Sequence, residues 1–274
     1  MDFLQLFKYG FIQQAFLAAL LMSITCGIIG TYIVSRRMVF ISGGITHASF
    51  GGVGIGYFFG FPPLAGAALF AVLAALTTEN LTRKKVLRND SIIAIMWSLG
   101  MAMGIIFIYL TPGYAPNLMS FLFGSIITVT KTDLWLMFAL AVTVSIFFTL
   151  LFKPILYLAF DEQFARTRGI PVMLLNYLLI ILVALTIVLS IRVAGIILVL
   201  SVLTIPQNIS NLFTNRFSQI MIGSIVLGLI ASVLGLVISY YLDIPSGATI
   251  IFTLVLMYLA ARLIKVVTFG RKNQ

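Results

Sequence analysis

The sequence predicts an all-helical protein that threads repeatedly through a membrane. Three observations predict it. Of 274 residues, 61% are apolar or aromatic and 9% are charged, whereas a soluble domain carries about 25% charged residues. Unbroken apolar runs approach the ~20 residues that cross a hydrocarbon core; FIQQAFLAALLMSITCGIIGTYIV, SIIAIMWSLGMAMGIIFIYL and QIMIGSIVLGLIASVLGLVISYYL are three of them. These runs also exclude a transmembrane barrel, whose strands alternate over about ten residues.

Nine hydrophobic segments are expected, at roughly 11–35, 44–60, 63–82, 91–111, 132–152, 172–191, 193–206, 218–240 and 247–265, with eight or ten as the neighbouring solutions. The first follows MDFLQLFKYG, which lacks a basic n-region and a small-residue cleavage site, so the first helix itself directs insertion. The second and seventh are short and are read as tilted, broken or partly spanning. The third ends with Glu79 placed to pair with Arg83, four residues on. The fourth opens on Asp90 as its N-cap, and the fifth on Asp133 after Thr132. Between them lies a long, partly apolar stretch, 111–131, read as a helix at or dipping into the outer interface. Arg192, between the sixth and seventh, snorkels to the interface. FFGFPP, TPGYAPN and LDIPSG supply turns, with Asp243 in the last expected as a turn residue and N-terminal cap.

Nine spans place the two ends on opposite sides. One face then carries 14 of the 17 Lys and Arg residues, and the other carries Lys8, Lys131 and Arg192. The positive-inside rule makes the first face cytoplasmic, with the N-terminus outside and the C-terminus inside. The net charge of +10 is therefore a topology signal that needs no nucleic acid. The chain reads as one transmembrane domain, 1–274, without a soluble domain or linker.

Several chemistries are excluded by missing residue types. There is no G-x-x-x-x-G-K-[ST] loop, so the chain does not itself hydrolyse nucleotide. With a single histidine there is no H-E-x-x-H metalloprotease. Cys26 is alone, so there is no disulfide framework or thiol cluster. An ion-coupled secondary transporter wants intramembrane carboxylates, yet all seven acids fall at segment ends or in loops.

The histidine, His47, lies in GGITHASFGG. On a helix, Gly44, Ala48, Gly52 and Gly56 recur every four residues, a spacing that lets neighbouring helices approach closely. His47 shares its face with Gly43, Gly51 and Gly54. Two readings follow. His47 hydrogen-bonds a neighbouring helix, or it touches a permeating substrate, since intramembrane ionisable groups mark pathways. Imidazole suits zinc and other borderline transition metals, and one histidine makes a site weak enough for the ion to leave.

On the cytoplasmic side, FDEQFARTRG reads as a short amphipathic helix. Asp161 and Glu162 open it at the positive end of its dipole, and Gly169 stops it. Phe160, Phe164 and Ala165 can share a face. It is either a surface connector or a helix that inserts into a groove on a cytoplasmic partner.

Taken together, these residues resemble the permease subunits of zinc and manganese ABC importers, a family that also includes iron permeases. THASFGGVGIG is similar to that family's Ser-His-Ala-x-x-x-Gly segment, and NDSIIAIMWSLGMAMG to its fourth-helix opening. NLMSFLFGSIITVTKTD resembles its Leu-Phe-Gly-Ser segment, and FDEQFARTRGIPV its coupling segment, with Phe160, Asp161, Ala165 and Gly169 in register. VAGIILVLSVLTIPQNIS is similar to its Gly-x-x-Leu-x-x-x-x-Leu-x-x-Pro helix at Gly195, Leu198, Leu203 and Pro206. LDIPSGATII resembles its Asp-x-Pro-x-Gly-Ala motif at Asp243, Pro245, Gly247 and Ala248.

The resemblance implies the transmembrane fold of the type II importers in a bacterial inner membrane. It implies a homodimer of permeases around one path, two cytoplasmic ATP-binding subunits docked on 160–170, and an extracytoplasmic metal-binding protein. Asp243 is a candidate contact for that protein. No resident cofactor is implied; the metal is cargo. In one respect the chain departs from the family, which commonly has aspartate four residues before the motif histidine. Here that position is Gly43. Thr46 or Ser42 can supply an oxygen instead, or two His47 side chains can meet across the dimer axis. An imidazole without a carboxylate suits zinc better than manganese, which prefers oxygen; manganese and iron are the alternatives.

Overall fold

The structure, a computed structural model, describes residues 10–85, 87–112 and 129–269. Among these residues there are twelve helices and no strand. They are α1 (Gly10–Ser35), α2 (Val39–Phe59), α3 (Pro63–Arg83), α4 (Asn89–Leu110), α5 (Lys131–Leu150) and α6 (Phe152–Phe160). Then follow α7 (Glu162–Thr167), α8 (Val172–Ala194), α9 (Ile196–Val202), α10 (Ile205–Phe213), α11 (Phe217–Leu242) and α12 (Ser246–Phe269). The expected interfacial helix within 111–131 falls largely outside the described residues.

Eight of these elements, counting Ile196–Phe213 as one, are long and apolar enough to cross a membrane. α2 is not among the eight, yet its 21 residues span about 31 Å at 1.5 Å per residue. Glycine lowers its hydropathy, and burial against protein replaces contact with lipid: 13 of its residues are buried. With α2, nine elements of the described residues have spanning length. The second segment is therefore longer than expected, because its helix begins at Val39 rather than 44.

The core is built on α1 and α8, whose central residues Met22, Cys26, Ile29, Ile33, Leu179, Val183 and Ile187 are all buried. Gly27 faces Ile225 of α11 so closely that an added Cβ would lie 3.0 Å from the Ile225 backbone nitrogen. Here α1 and α11 meet nearly backbone to backbone.

The seventh segment is two short helices, the broken form among the readings expected. Gly195, at φ 80°, separates α8 from α9, and the chain breaks again at Leu203–Thr204 before Pro206. Pro206 has no N–H to give to the carbonyl of Val202. The buried Gln207 side chain supplies the missing donor, reaching Val202 O at 3.2 Å and Cys26 O at 2.9 Å. In a membrane, such a break is tolerated only where freed backbone groups find partners inside the protein.

The turn assignments need three corrections. Asp90 is not the N-cap of its helix; α4 starts at Asn89 with Asp90 inside its first turn, where a carboxylate still meets the positive dipole end. Asp133 is the third residue of a capping box in which Thr130 is the N-cap, so the cap lies two residues before Thr132. Asp243 does not open α12; it closes α11 in the left-handed conformation at φ 53°, its N–H donated to Ser239 O. Aspartate tolerates that conformation better than most residues.

α2 lies between α3 and α4, and glycine sets both distances. A Cβ at Gly52 would run into the Gly66 carbonyl of α3 and lie 2.8 Å from Ala67 N. A Cβ at Gly43 would meet nothing nearer than Leu200 Cδ2 at 4.0 Å. Gly52→Ala should therefore lower the unfolding free energy of the purified protein by about 1–3 kcal/mol through overpacking. Gly43→Ala should be neutral or stabilising by up to about 1 kcal/mol. Thermal melting in one detergent checks both; equal melting of the two variants contradicts the packing described.

Candidate functional site

His47 sits on α2, half-buried, with its ring stacked on the indole of Trp97 from α4. The ring centroids are 4.0 Å apart and the planes differ by 7°. Nδ1 is buried without a hydrogen-bond partner among the described residues. The neighbouring hydroxyls do not turn toward the imidazole. Thr46 Oγ1 donates to Ser42 O at 2.7 Å, Ser42 Oγ to Val39 O at 2.7 Å, and Ser49 Oγ to Thr46 O at 2.6 Å. Each closes onto its own helix, as Ser and Thr do when nothing else competes for the proton. No group of three or more His, Cys, Asp or Glu that could hold a metal ion occurs among the described residues. Among the described residues of one chain, His47 therefore belongs to no multi-residue metal cluster.

The four-residue stripe does not form one interface. Gly44 meets Ile93 and Ala48 meets Gly100, both on α4, whereas Gly52 meets Gly66 and Gly56 meets Pro63, both on α3. Four residues turn a helix by about 400°, so the stripe drifts about 40° per step and about 120° from Gly44 to Gly56. Gly51 and Gly54 continue the contact with α4, against the backbones of Gly100 and Gly104.

The 160–169 segment is organised differently from the single amphipathic helix expected. Phe160 is the last residue of α6, and Asp161 is an N-cap whose side chain accepts from Phe164 N at 3.0 Å. α7 follows and ends at Thr167 with Arg168 as its C-cap, and Gly169 just beyond it, at φ 72°, takes a left-handed position that glycine adopts without strain. Phe160, Phe164 and Ala165 do not share a face. Ala165 is fully buried, while Phe160 is 65% exposed and Phe164 38%. The ring of Phe164 packs on Tyr157 at 5.2 Å and under the Arg168 guanidinium at 5.1 Å.

Glu162 joins three elements. It accepts from Arg166 at 2.8 Å and lies 3.9 Å from Arg36 and 4.0 Å from Arg83. Arg83 in turn holds Glu79 at 2.7 Å, the expected pair, and Arg36 donates to Leu158 O at 2.9 Å. The carboxylate thus ties α7 to the end of α1 and the end of α3, the two helices that border α2 in sequence. Beside it opens a groove of about 580 Å³ lined by Arg83, Arg166, Ile170, Met173 and Tyr177.

At the opposite end of the bundle, Arg192 reaches Asp133 at 3.4 Å rather than simply snorkelling. The pair borders a cavity of about 510 Å³ that also touches Ser49, Tyr57 and Pro62. Asp243 is exposed in the turn between α11 and α12. Sequence reasoning missed the Trp97 stack and the Asp133–Arg192 pair. The first is hidden in an apolar run, and the second joins residues 59 apart.

The Arg166 hydrogen bond and the Arg83 and Arg36 charges hold the Glu162 carboxyl below the usual carboxylate range, against some desolvation. A carboxyl depressed in the folded state stabilises above its unfolded pKa and loses that contribution as pH falls through its folded value. Protease nicking at 160–170 should therefore stay low at neutral pH and rise as pH drops below the ordinary carboxyl range. Glu162→Gln should nick at the acid-pH rate throughout; a variant as resistant as the native chain at neutral pH contradicts the tether.

The family model described as "ABC 3 transport family" matches residues 8–265. The chain is 44% identical over 255 residues to an uncharacterised membrane protein of Synechocystis, covering 93% of this chain and 91% of that one. It is 34% identical to the manganese transport system membrane protein MntC of Halalkalibacterium halodurans, covering 90% and 85%. Among solved structures it is similar to a chain of PsaBC from Streptococcus pneumoniae in complex with Fab. The TM-score is 0.84 at 30% identity, covering 93% of this chain and 92% of that chain.

Proposed function

The chain belongs to the ABC 3 transport family, and from that premise we propose that it is the membrane-spanning subunit of an ATP-driven importer whose cargo is zinc. The transporter class rests on the family and on relatives named for metal transport. The choice of zinc rests on one observation: the chain's one imidazole, His47, sits on a helix without Asp or Glu and belongs to no cluster of three or more His, Cys, Asp or Glu among the described residues. Imidazole suits zinc, whereas manganese prefers oxygen ligands. Manganese is the second reading, favoured by the names of relatives such as MntC and the manganese import permease ScaB of Streptococcus parasanguinis.

In this reading two copies of the chain enclose one path, and His47 of α2 meets the ion in transit. A single neutral nitrogen without a hydrogen-bonded carboxylate behind it is a weak ligand, which lets the ion move on. ATP is bound and hydrolysed by separate cytoplasmic subunits. They dock on the 160–170 segment, where the exposed rings of Phe160 and Phe164 offer a hydrophobic anchor. Ala165, buried in the bundle, and Asp161 and Gly169, which bound α7, keep that anchor in place. Glu162 then passes movement of α7 to Arg36 and Arg83, and so to the helices on either side of α2. An extracytoplasmic protein delivers the ion at the opposite end, where Asp243 is exposed in a turn. Thr46, its proton held by its own helix, contributes at most a lone pair.

The proposed orientation, N-terminus outside, is supported by charge: Arg36, Arg83 and Arg166 gather around Glu162, and a basic end favours the cytoplasmic side. An ion-coupled carrier is disfavoured because Glu79, Asp133 and Glu162 are each paired with arginine, and none is free to carry a proton mid-membrane.

Labelled-zinc uptake into metal-starved cells carrying the partner subunits tests the reading. His47→Ala at matched membrane levels should lower uptake by about tenfold or more, with the complex still assembled. Unchanged uptake removes His47 from the path. A native chain that carries manganese and no zinc replaces the metal and leaves the transporter reading in place.

A further inference from the structure

The Trp97 indole is the only aromatic ring stacked on His47 among the described residues, and no charged group lies on the same stretch of helix. α2, Val39–Phe59, contains no Asp or Glu. On α4 the nearest acid is Asp90, seven residues and about 10 Å along the helix from Trp97. The two rings are parallel at 4.0 Å, and Nδ1 has no acceptor to orient it. What holds the imidazole plane is therefore the indole.

This stack is stronger for one state of the histidine than for the other. A neutral imidazole gains dispersion from it. An imidazole that ligates a divalent cation through Nε2 takes on positive charge, and indole presents the best cation–π face of any side chain. We propose that Trp97 is a specificity-determining and positioning residue. Its π face stabilises His47 when the histidine is metal-loaded, standing where a carboxylate would otherwise supply negative charge. The proposal rests on the reading that His47 meets the ion.

Selectivity follows from the difference between a π face and a carboxylate. A carboxylate offers charge and an oxygen ligand, which serves manganese as well as zinc. An indole offers only charge stabilisation to the imidazole, so affinity follows the strength of the metal–nitrogen bond, which is greater for zinc than for manganese. At Gly43, one turn from His47, the nearest atom to an added Cβ is Leu200 Cδ2 at 4.0 Å, so the first atom of a side chain is accommodated there without a clash. The position can therefore be used to restore the missing charge.

The test measures binding of labelled zinc and labelled manganese to the full-length chain in nanodiscs. The chains compared are the native protein, His47→Ala, Trp97→Phe, Trp97→Leu and the double variant Trp97→Leu with Gly43→Asp. Trp97→Leu should weaken zinc binding by roughly tenfold and Trp97→Phe by less, following the ring's cation–π strength. The double variant should recover zinc binding and gain manganese binding, a change of preference that lost packing alone does not produce. Thermal melting of each variant checks that the fold is kept.

Trp97→Leu binding zinc as tightly as the native chain overturns the proposal. So does a loss that neither the phenyl ring nor the Gly43→Asp carboxylate lessens, since Trp97 is then a packing residue. If His47→Ala binds zinc like the native chain, or the native chain binds none, the His47 reading fails and this inference with it. If His47→Ala loses binding and Trp97→Leu does not, this inference alone fails.

Discussion

The architecture around the candidate site depends on one constraint: α2 is too rich in glycine to face lipid and must be enclosed by protein. Gly52 meets the Gly66 carbonyl, and Gly51 and Gly54 meet the backbones of Gly100 and Gly104. Membrane helices have little hydrophobic drive to associate, so close packing of small residues is what joins them. The same contacts remove side-chain volume from both sides of α2. Near its middle, His47 and Trp97 fill space together as a stack, and Phe50 packs against Gly104 of α4.

That enclosure has a mechanical consequence. α2 is joined to α1 by three residues, Arg36–Met38, and to α3 by Gly60–Pro62. At the basic end, Arg36 and Arg83 both reach Glu162 of α7. Arg37, next to Arg36 in the turn between α1 and α2, adopts a positive φ of 58°, and Lys85, two residues beyond Arg83 in the turn after α3, one of 52°, conformations uncommon for long side chains. Short turns, a shared carboxylate and backbone-close packing leave α2 little freedom to move apart from its neighbours. In the proposed importer, a displacement of α7 would reach the histidine helix through these same contacts.

The broken seventh element shows how the membrane polices irregular backbone. Pro206 removes a donor from the helix, and Gln207 returns one from a side chain that is completely buried. The Gly195 joint, left-handed in φ, sits just before it. An unpaired carbonyl at that depth costs several kcal/mol, so the glutamine is as much part of the α9–α10 break as the proline.

The all-helical membrane class and the places of the nine elements were legible in the sequence, because span length and hydropathy are local properties that a bilayer reads one segment at a time. So were the Glu79–Arg83 pair, a single turn apart, and the stop at Gly169, where glycine takes a left-handed turn. The His47 stretch stood out because it holds the chain's one imidazole. Only the tertiary structure decided which helix each glycine touches, since a four-residue stripe rotates across two neighbours. It alone brought Trp97 onto His47, Arg192 onto Asp133, and Arg36 and Arg83 onto Glu162. It also moved Asp243 from the start of one helix to the end of another. These are contacts between residues far apart in the chain or choices among backbone conformations of similar energy, and only packing against the rest of the bundle selects one.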